Sequence, residues 1–174
     1  GMDFDELKRA SSVRGFKGKA TGVAASMAVR NEVRNTVSYN VVGRVPGSKR
    51  PDEAFVYTAH WDHLGKTANA KAGEDTIFNG AQDNATGVSA LIELGRAFAA
   101  MKPAPERSVM FVAVTAEESG TLGSQYFANH PPVPLSKMYG GLNMDNLYAV
   151  GRTLDLTVIG YGASELDDYL KRSA

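Results

Sequence analysis

The order of apolar and polar residues predicts alternating strands and helices from residue 54 onward. "AFVYTA" (54–59) and "SVMFVAV" (108–114) are nearly continuous apolar runs rich in β-forming residues, which is typical of strands buried on both faces. Between them, "DNATGVSALIELGRAFAAM" (83–101) places its apolar side chains on one face of a helix that Asp83 or Asn84 can cap. This order of elements predicts an α/β fold with a largely parallel sheet.

The flanking segments complete the predicted fold. "DFDELKRASSV" (3–13) predicts a short polar helix, and "NTVSYNVVGRV" (35–45) alternates well enough to predict a half-exposed antiparallel hairpin within residues 18–45. Further along, "GTLGSQYFANH" (120–130) predicts a helix, "GGLNMDN" (140–146) and "TLDLTVIG" (153–160) predict strands, and "SELDDYLKRS" (164–173) predicts a last helix capped by Ser164. We therefore expect a three-layer α/β/α sandwich with a mixed, mostly parallel sheet and an N-terminal antiparallel hairpin.

Composition and charge exclude several classes of partner and site. The 174 residues carry 19 basic and 19 acidic side chains, so there is no large net charge to attract nucleic acid or an anionic membrane. No stretch approaches the roughly 20 apolar residues of a membrane-spanning helix. Because the chain has no cysteine, disulfides and thiolate metal sites are excluded, and any metal must be held by His, Asp and Glu.

Three of the predicted strands are followed by side chains that can bind a metal. His60 follows the first buried strand, the pair Glu117 and Glu118 follows the second, Asp145 follows the third, and Asp83 begins the helix. Ligands of open α/β sheets bind at the carboxyl ends of the strands, and nitrogen and oxygen donors without sulfur suit zinc, with manganese or cobalt as alternatives. Singly, these residues have simpler interpretations as a satisfied histidine, a helix cap, a turn residue and a solvated loop. Their shared position at one sheet edge favours a metal site.

The residues beside these candidates suggest how the work is divided. Asp62 is close enough in sequence to accept the second ring N–H of His60. His63 is expected to point away into the loop and not to be a ligand. Adjacent residues that leave a strand point in different directions, so one glutamate can bind metal while the other acts as a base. The spacing alone does not say which of Glu117 and Glu118 does which.

Several motifs, in this order, resemble a known family. "YTAHWDHLG", "FNGAQDNATGVSALIELGRAF", "RSVMFVAVTAEESGTLGSQYFANHP", "LNMDN" and "GRTLDLTVIGYGASELDD" are similar to the co-catalytic two-zinc aminopeptidases, which include secreted bacterial leucine aminopeptidases and glutamate carboxypeptidase relatives. The resemblance covers roughly residues 36–174. It implies a phosphorylase/hydrolase-like zinc-exopeptidase fold, a bacterial protein with a secreted or periplasmic location, and peptide substrates.

The resemblance also implies roles for individual residues. A water held between two zinc ions would attack a peptide carbonyl, with Glu117 as the general base. The metal-binding residues implied are His60 and Asp145 for the first zinc, Glu118 for the second, and Asp83 bridging both, with a cis peptide bond from Asp83 to Asn84. Asp62 is implied to orient His60.

One departure from the family limits these expectations. The family's last ligand is a histidine well beyond "SELDD", whereas the histidines here are His60, His63 and His130, and His130 is expected to end a surface helix. Residues 1–174 are therefore expected to form a single incomplete catalytic domain with residues 1–35 as a lead-in. We expect one tightly bound zinc or none, little or no peptidase activity, and homo-oligomerisation through exposed sheet surface.

Other functions remain open at this point. A non-catalytic binding module of the same fold is one alternative, although it would have no need of Glu117. A single-zinc acyltransferase similar to glutaminyl cyclases and a carboxypeptidase are two more. A phosphate-binding interpretation has little support, because "GAQDNATG" has neither the P-loop lysine nor the dinucleotide-binding glycine spacing.

Overall fold

The computed structural model describes residues 3–18, 20–67, 71–148, 151–155 and 157–173. The chain divides into two compact units, residues 1–36 and residues 37–174. The first unit contains helix α1 (Phe4–Ser11), and the carboxylate of Asp3 caps it by accepting a hydrogen bond of 3.0 Å from the Glu6 N–H. This confirms the short polar helix, which has no buried residue.

A four-stranded sheet forms the centre of the second unit. Its strands are β1 (Val41–Val45), β2 (Arg50–His60), β5 (Arg107–Val114) and β6 (Met138–Asn143), in the spatial order β1-β5-β2-β6. Strand β1 is antiparallel to β5, whereas β5 and β6 both lie parallel to β2. The predicted mixed, mostly parallel sheet is therefore confirmed.

The predicted N-terminal hairpin is wrong. Strand β1 pairs with the distant strand β5, with Val41 opposite Ala113 and Val45 opposite Val109. Among the described residues between 18 and 40 there is no strand, and Val37 and Tyr39 are exposed. Because β1 satisfies its backbone groups at the edge of the main sheet, it needs no partner from its own neighbourhood.

Helices cover both faces of the sheet. On one face, Phe98 of helix α2 (Ala85–Ala100) packs with the rings of Tyr57 and Phe111, whose centroids lie 6.0 and 6.1 Å from that of Phe98. On the other face, Phe127 of helix α3 (Leu122–Asn129) packs against a buried cluster made of Ala54, Val56, Met110, Val112 and Val114. Alternate residues of β2 and β5 thus face opposite helices, and the three-layer arrangement is confirmed.

The segment between β2 and α2 contains a short antiparallel pair of strands that the sequence did not indicate. Strands β3 (Gly65–Lys66) and β4 (Ile77–Phe78) pair with each other, Gly65 opposite Phe78. This small hairpin lies next to the carboxyl end of β2, the edge at which candidate ligands were expected. The rest of the intervening polar stretch has no strand or helix among its described residues.

The C-terminal predictions are partly wrong. Helix α4 (Leu166–Ser173) is confirmed, and the Ser164 hydroxyl accepts a hydrogen bond of 3.3 Å from the Leu166 N–H. The strand predicted over residues 153–160 is absent from its described residues, where Leu154 and Ile159 are fully exposed; residue 156 lies outside the described residues. Alternating apolar residues form a strand only where another strand offers a hydrogen-bonding edge. The described residues of this segment pair with no strand.

Within the described residues, the longest helices are too short or too polar to cross a bilayer.

Candidate metal centre

Parallel pairing brings the ends of three strands to one edge of the sheet. His60 is the last residue of β2 and lies opposite Val114, the last residue of β5. Strand β6 runs alongside, with Asn143 opposite Thr58, and the Met144 N–H continues the ladder by donating to the Thr58 carbonyl at 2.9 Å. The residues that follow each strand therefore emerge together.

The first cluster of ligand atoms forms around His60. His60 is 2% exposed, and its Nε2 lies 3.0 Å from Asp83 Oδ1 and 3.4 Å from Asp145 Oδ1. One ligand atom from each of the three residues lies within 4.8 Å of the others. The structure thus brings together three residues that the sequence analysis placed at one site.

The orientation of His60 differs from the prediction in one contact. Its Nδ1 hydrogen-bonds to the backbone carbonyl of Asp62 at 2.9 Å, whereas the Asp62 carboxylate is 3.9 Å away. Since a carbonyl oxygen can only accept, Nδ1 carries a proton, and Nε2 is the ring nitrogen that faces the carboxylates and is free to bind a cation when the ring is neutral. The turn after β2 fixes the ring with its main chain, a contact that side-chain spacing does not reveal.

The Asp62 carboxylate has a different task, which is to hold the glutamate pair. It accepts hydrogen bonds from the backbone N–H of Glu117 at 3.0 Å and from that of Glu118 at 3.4 Å. The turn begins with Ala116, whose φ of 52° is in the left-handed region that non-glycine residues seldom adopt. Asp62 therefore joins the ends of β2 and β5 and stabilises this tight turn.

Asn84 joins the remaining two segments. It is buried, its Oδ1 caps α2 by accepting from the Gly87 N–H at 3.0 Å, and its Nδ2 donates to the Met144 carbonyl at 2.9 Å. The peptide bond from Asp83 to Asn84 is cis, as the family resemblance implied. The start of α2 and the end of β6 are thus held together directly beside Asp83 and Asp145.

Neighbouring charges and burial act in opposite directions on His60. Burial disfavours the protonated ring, but the hydrogen bond to Asp62 and the carboxylates of Asp145, Glu117 and Asp83 favour it, and the net effect is a pKa above the ordinary value of 6.5. A cation is therefore favoured where the imidazole faces these acids, whether a proton or a metal ion.

A divalent metal fits this cluster on the evidence of Asp83. Its Oδ1 is buried and has no hydrogen-bond partner among the described residues, although His60 Nε2 is 3.0 Å away. The two atoms approach each other without the alignment of a hydrogen bond, as ligands do when both point to a common ion. A nitrogen donor with carboxylate oxygens is also a donor set that zinc accepts.

A second cluster shares Asp83 with the first, and it corrects the prediction for His63. The ring of His63 does not point away: its Nδ1 lies 2.7 Å from Glu118 Oε1, and His63, Asp83 and Glu118 offer ligand atoms within 4.8 Å of one another. The sequence signal was the spacing in "HWDH", where His63 follows the strand by three residues. Its orientation depends on the β3–β4 hairpin, which the sequence did not predict.

Glu117 and His130 lie outside both ligand clusters. The Glu117 carboxylate helps to raise the pKa of His60 but belongs to neither ligand cluster, whereas Glu118 belongs to the second cluster. His130 follows α3, is exposed, and stacks on Tyr126 with ring centroids 4.3 Å apart. His130 is therefore outside the site, in agreement with the sequence analysis.

Comparisons with known proteins place the chain in a family. Residues 40–174 match the sequence profile of Peptidase family M28. A probable zinc metalloprotease of Pyricularia oryzae is 36% identical over 107 residues, which are 61% of this chain and 20% of that protein. Aminopeptidase YwaD of Bacillus subtilis is 32% identical over 99 residues, 55% of this chain and 18% of that protein.

A solved structure shows the same fold. The crystal structure of a Peptidase M28 precursor from Shewanella amazonensis has a TM-score of 0.52 and 31% identity, over 63% of this chain and 22% of that one. The chain thus spans about a fifth of the length of these relatives. Because they include fungal as well as bacterial proteins, they do not support the expectation of a bacterial protein.

Proposed function

Because the chain belongs to peptidase family M28, we propose that it carries the metal centre and the general base of a zinc-dependent exopeptidase, and specifically of an aminopeptidase. The observation that carries the proposal is the cluster of His60, Asp83 and Asp145, with Glu117 beside it but outside the ligand set. The aminopeptidase assignment is supported by the relative from Bacillus subtilis, which is named an aminopeptidase.

In this proposal the described residues divide into ligands and positioning groups. His60 and Asp145 hold the first zinc, Glu118 holds the second, and Asp83 contributes to both clusters. When bound, zinc supplies a Lewis acid that polarises the scissile carbonyl and stabilises the negative charge that develops on its oxygen. The backbone carbonyl of Asp62 keeps the lone pair of His60 Nε2 directed at the ligand cluster.

Glu117 is proposed to move the proton. Its carboxylate accepts a proton from the attacking water, whose oxygen bonds to the carbonyl carbon, and passes that proton to the nitrogen of the leaving group. The C–N bond then breaks, the leaving group departs as a neutral amine, and the other product is a carboxylate. This role requires a carboxylate that is close to the cluster and is not itself a ligand. Asp62 supports the role by holding the Glu117 backbone at 3.0 Å.

The test compares wild-type protein with Glu117→Gln and His60→Ala. Glu117→Gln is expected to keep zinc and to lower hydrolysis of leucyl-p-nitroanilide by about 10²–10⁴-fold, the usual contribution of a general base. His60→Ala is expected to lose tightly bound zinc, measured by mass spectrometry of dialysed protein. The sequence-based prediction of little turnover from these 174 residues stays a prediction, so the assay needs long incubations at high protein concentration.

A blocked substrate separates the alternatives. N-acetyl-leucyl-p-nitroanilide has no free amino group, and an aminopeptidase is expected to hydrolyse it far more slowly than the free form. Equal rates on both substrates would contradict the aminopeptidase assignment. Hydrolysis that survives Glu117→Gln, or zinc content that survives His60→Ala, would contradict the proposed centre.

A secreted or periplasmic location, peptide substrates and a single domain with residues 1–35 as lead-in remain proposals from the resemblance.

A further inference from the structure

The second cluster contains a histidine to which the family resemblance gives no role. His63, Asp83 and Glu118 each offer one ligand atom, and these atoms lie within 4.8 Å of one another. The family resemblance implies only Asp83 and Glu118 of this chain for the second metal, which by itself would bind weakly. The structure places an imidazole in that same group.

Three residues from two parts of the chain hold His63 in position. Its Nδ1 meets Glu118 Oε1 at 2.7 Å, and its ring stands edge-on to Phe78 of β4 with centroids 6.4 Å apart. Behind it lies Gly80, where an added Cβ would come within 3.0 Å of the His63 Cβ and 2.9 Å of the Asp83 carbonyl. A side chain at residue 80 would thus push His63 out of place. The ring is held on the Glu118 side by packing as well as by its contact with the Glu118 carboxylate.

A simple ion pair does not explain the whole arrangement. If His63 served only to neutralise Glu118, the pair would be complete with two residues, and nothing would require Asp83 within the same ligand distance. The side chains of His63 and Glu118 are each 22% exposed and that of Asp83 is 36% exposed, so water only partly screens the two carboxylates from each other. A divalent ion neutralises both acids at once, and an imidazole with two carboxylates makes up the three protein ligands typical of a catalytic zinc.

We propose that His63 is the third protein ligand of the second metal position, together with Glu118 and the shared Asp83. This inference rests on the proposed function, because it assumes the same two metal positions. It changes the expected composition of the centre: each position has one imidazole, His60 in the first and His63 in the second, and Asp83 is common to both. Two zinc ions per chain follow, in place of one or none.

The experiment measures zinc binding and not turnover. Metal-free protein is titrated with zinc against a chromogenic chelator, for wild type, His63→Ala, His60→Ala and His130→Ala. His130 is the matched control, because it is exposed and lies outside both clusters. Wild type and His130→Ala are expected to bind two equivalents. His63→Ala is expected to bind one equivalent with an affinity within threefold of the first wild-type site and to lose the second by at least a hundredfold.

A second readout needs no variant and separates a ligand from a positioning residue. In ¹⁵N-labelled wild-type protein, the ring nitrogen signals of His60 are expected to shift with the first equivalent of zinc and those of His63 with the second, while those of His130 stay unchanged. If His63→Ala keeps the second equivalent within threefold, or the His63 signals do not move with it, the inference is wrong.

The outcomes also distinguish this inference from the proposed function. A wild-type protein that binds one equivalent, lost in His60→Ala and kept in His63→Ala, overturns the role of His63 and leaves the first metal position intact. A wild-type protein that binds no zinc overturns both.

Discussion

Replacing Asn84 by alanine is expected to destabilise the fold and loosen the metal centre together. Asn84 is buried, accepts from the Gly87 N–H at 3.0 Å and donates to the Met144 carbonyl at 2.9 Å. These bonds join the start of α2, directly after Asp83, to the segment that carries Asp145. Removing the amide leaves three backbone groups without this partner: the buried Gly87 N–H, the Met144 carbonyl of a half-buried residue, and the Asn146 N–H, which donates to Oδ1 at 3.3 Å. It also frees two ligand-bearing segments to separate.

The magnitude follows from the bonds that are lost. An N-cap amide contributes about 1 kcal/mol, and a buried polar group left unsatisfied costs about 1–3 kcal/mol. The helix cap is itself the hydrogen bond from the Gly87 N–H, so its energy must not be counted twice. We therefore expect Asn84→Ala to lower the free energy of unfolding by about 3 kcal/mol in total. For a chain of this length, that loss lowers Tm by about 6–12 °C.

Urea and thermal unfolding in the presence of a chelator measure the fold alone, and zinc titration measures the centre. Asn129→Ala is the matched control, because Asn129 ends α3 at the surface and only donates to the Gln125 carbonyl; its effect should stay within about 0.5 kcal/mol. Asn84→Asp keeps the acceptor for Gly87 but loses the donor, and should fall between the two. Zinc affinity should drop at least about tenfold in Asn84→Ala, as when other groups that orient metal ligands are removed.

The proposed role of Asn84 is refuted if Asn84→Ala unfolds at the same urea concentration as Asn129→Ala. It is also refuted if stability falls as expected while zinc affinity stays equal to that of wild type, because the amide would then support the helix without positioning the ligands.

Two further predictions concern the core and pH. Ser108 is fully buried, and its hydroxyl accepts a hydrogen bond from the Gly47 N–H at 3.0 Å, so Ser108→Ala should lower the free energy of unfolding by about 1–3 kcal/mol. The control Ser89→Ala, on the exposed face of α2, should change it by less than about 0.5 kcal/mol. Equal urea midpoints for the two variants would contradict this prediction. In zinc-free protein, the raised pKa of His60 means that its contribution to stability is complete below the ordinary value of 6.5 and is lost as pH rises through the folded-state pKa. The stability difference between wild type and His60→Asn, measured by urea unfolding with chelator, should therefore shrink from about pH 6 to about pH 8; a difference that grows with pH would show the opposite sign.

The parts of the fold that the sequence predicts are those fixed by local patterns. Strands β2 and β5 and helix α2 each carry enough apolar periodicity to be recognised alone, and parallel strands must bring their carboxyl ends to one edge. The pairing partner of β1 could not be predicted from a local pattern. Its alternating residues indicate a strand, but pairing with β5 depends on which edge of the finished sheet is free. The apolar residues 153–160 show the converse, since their alternation finds no edge and forms no strand among the described residues.

The site shows the same division between local and distant information. His60, Asp83 and Asp145 were predicted together because each follows or begins a regular element. His63 was misjudged because its direction depends on Gly80 and on the hairpin of β3 and β4, which are distant in sequence from Glu118. The contact between His60 and Asp62 was predicted through the wrong atom, because a side-chain carboxylate and a backbone carbonyl of the same residue are equally close in sequence.

The contacts that place the ligands are made mainly by residues and atoms that are not ligands. The Asp62 carboxylate binds the backbone on both glutamates, the Asp62 carbonyl orients His60, and the Asn84 amide holds the segments of Asp83 and Asp145. Such an arrangement fixes the positions of the donor atoms before any ion contributes, so a metal that enters has little of the chain to order. It follows that a change in Asp62 or Asn84 weakens the centre by separating donors that remain chemically intact, whereas a change in His60 or Asp145 removes a donor and leaves the others in place.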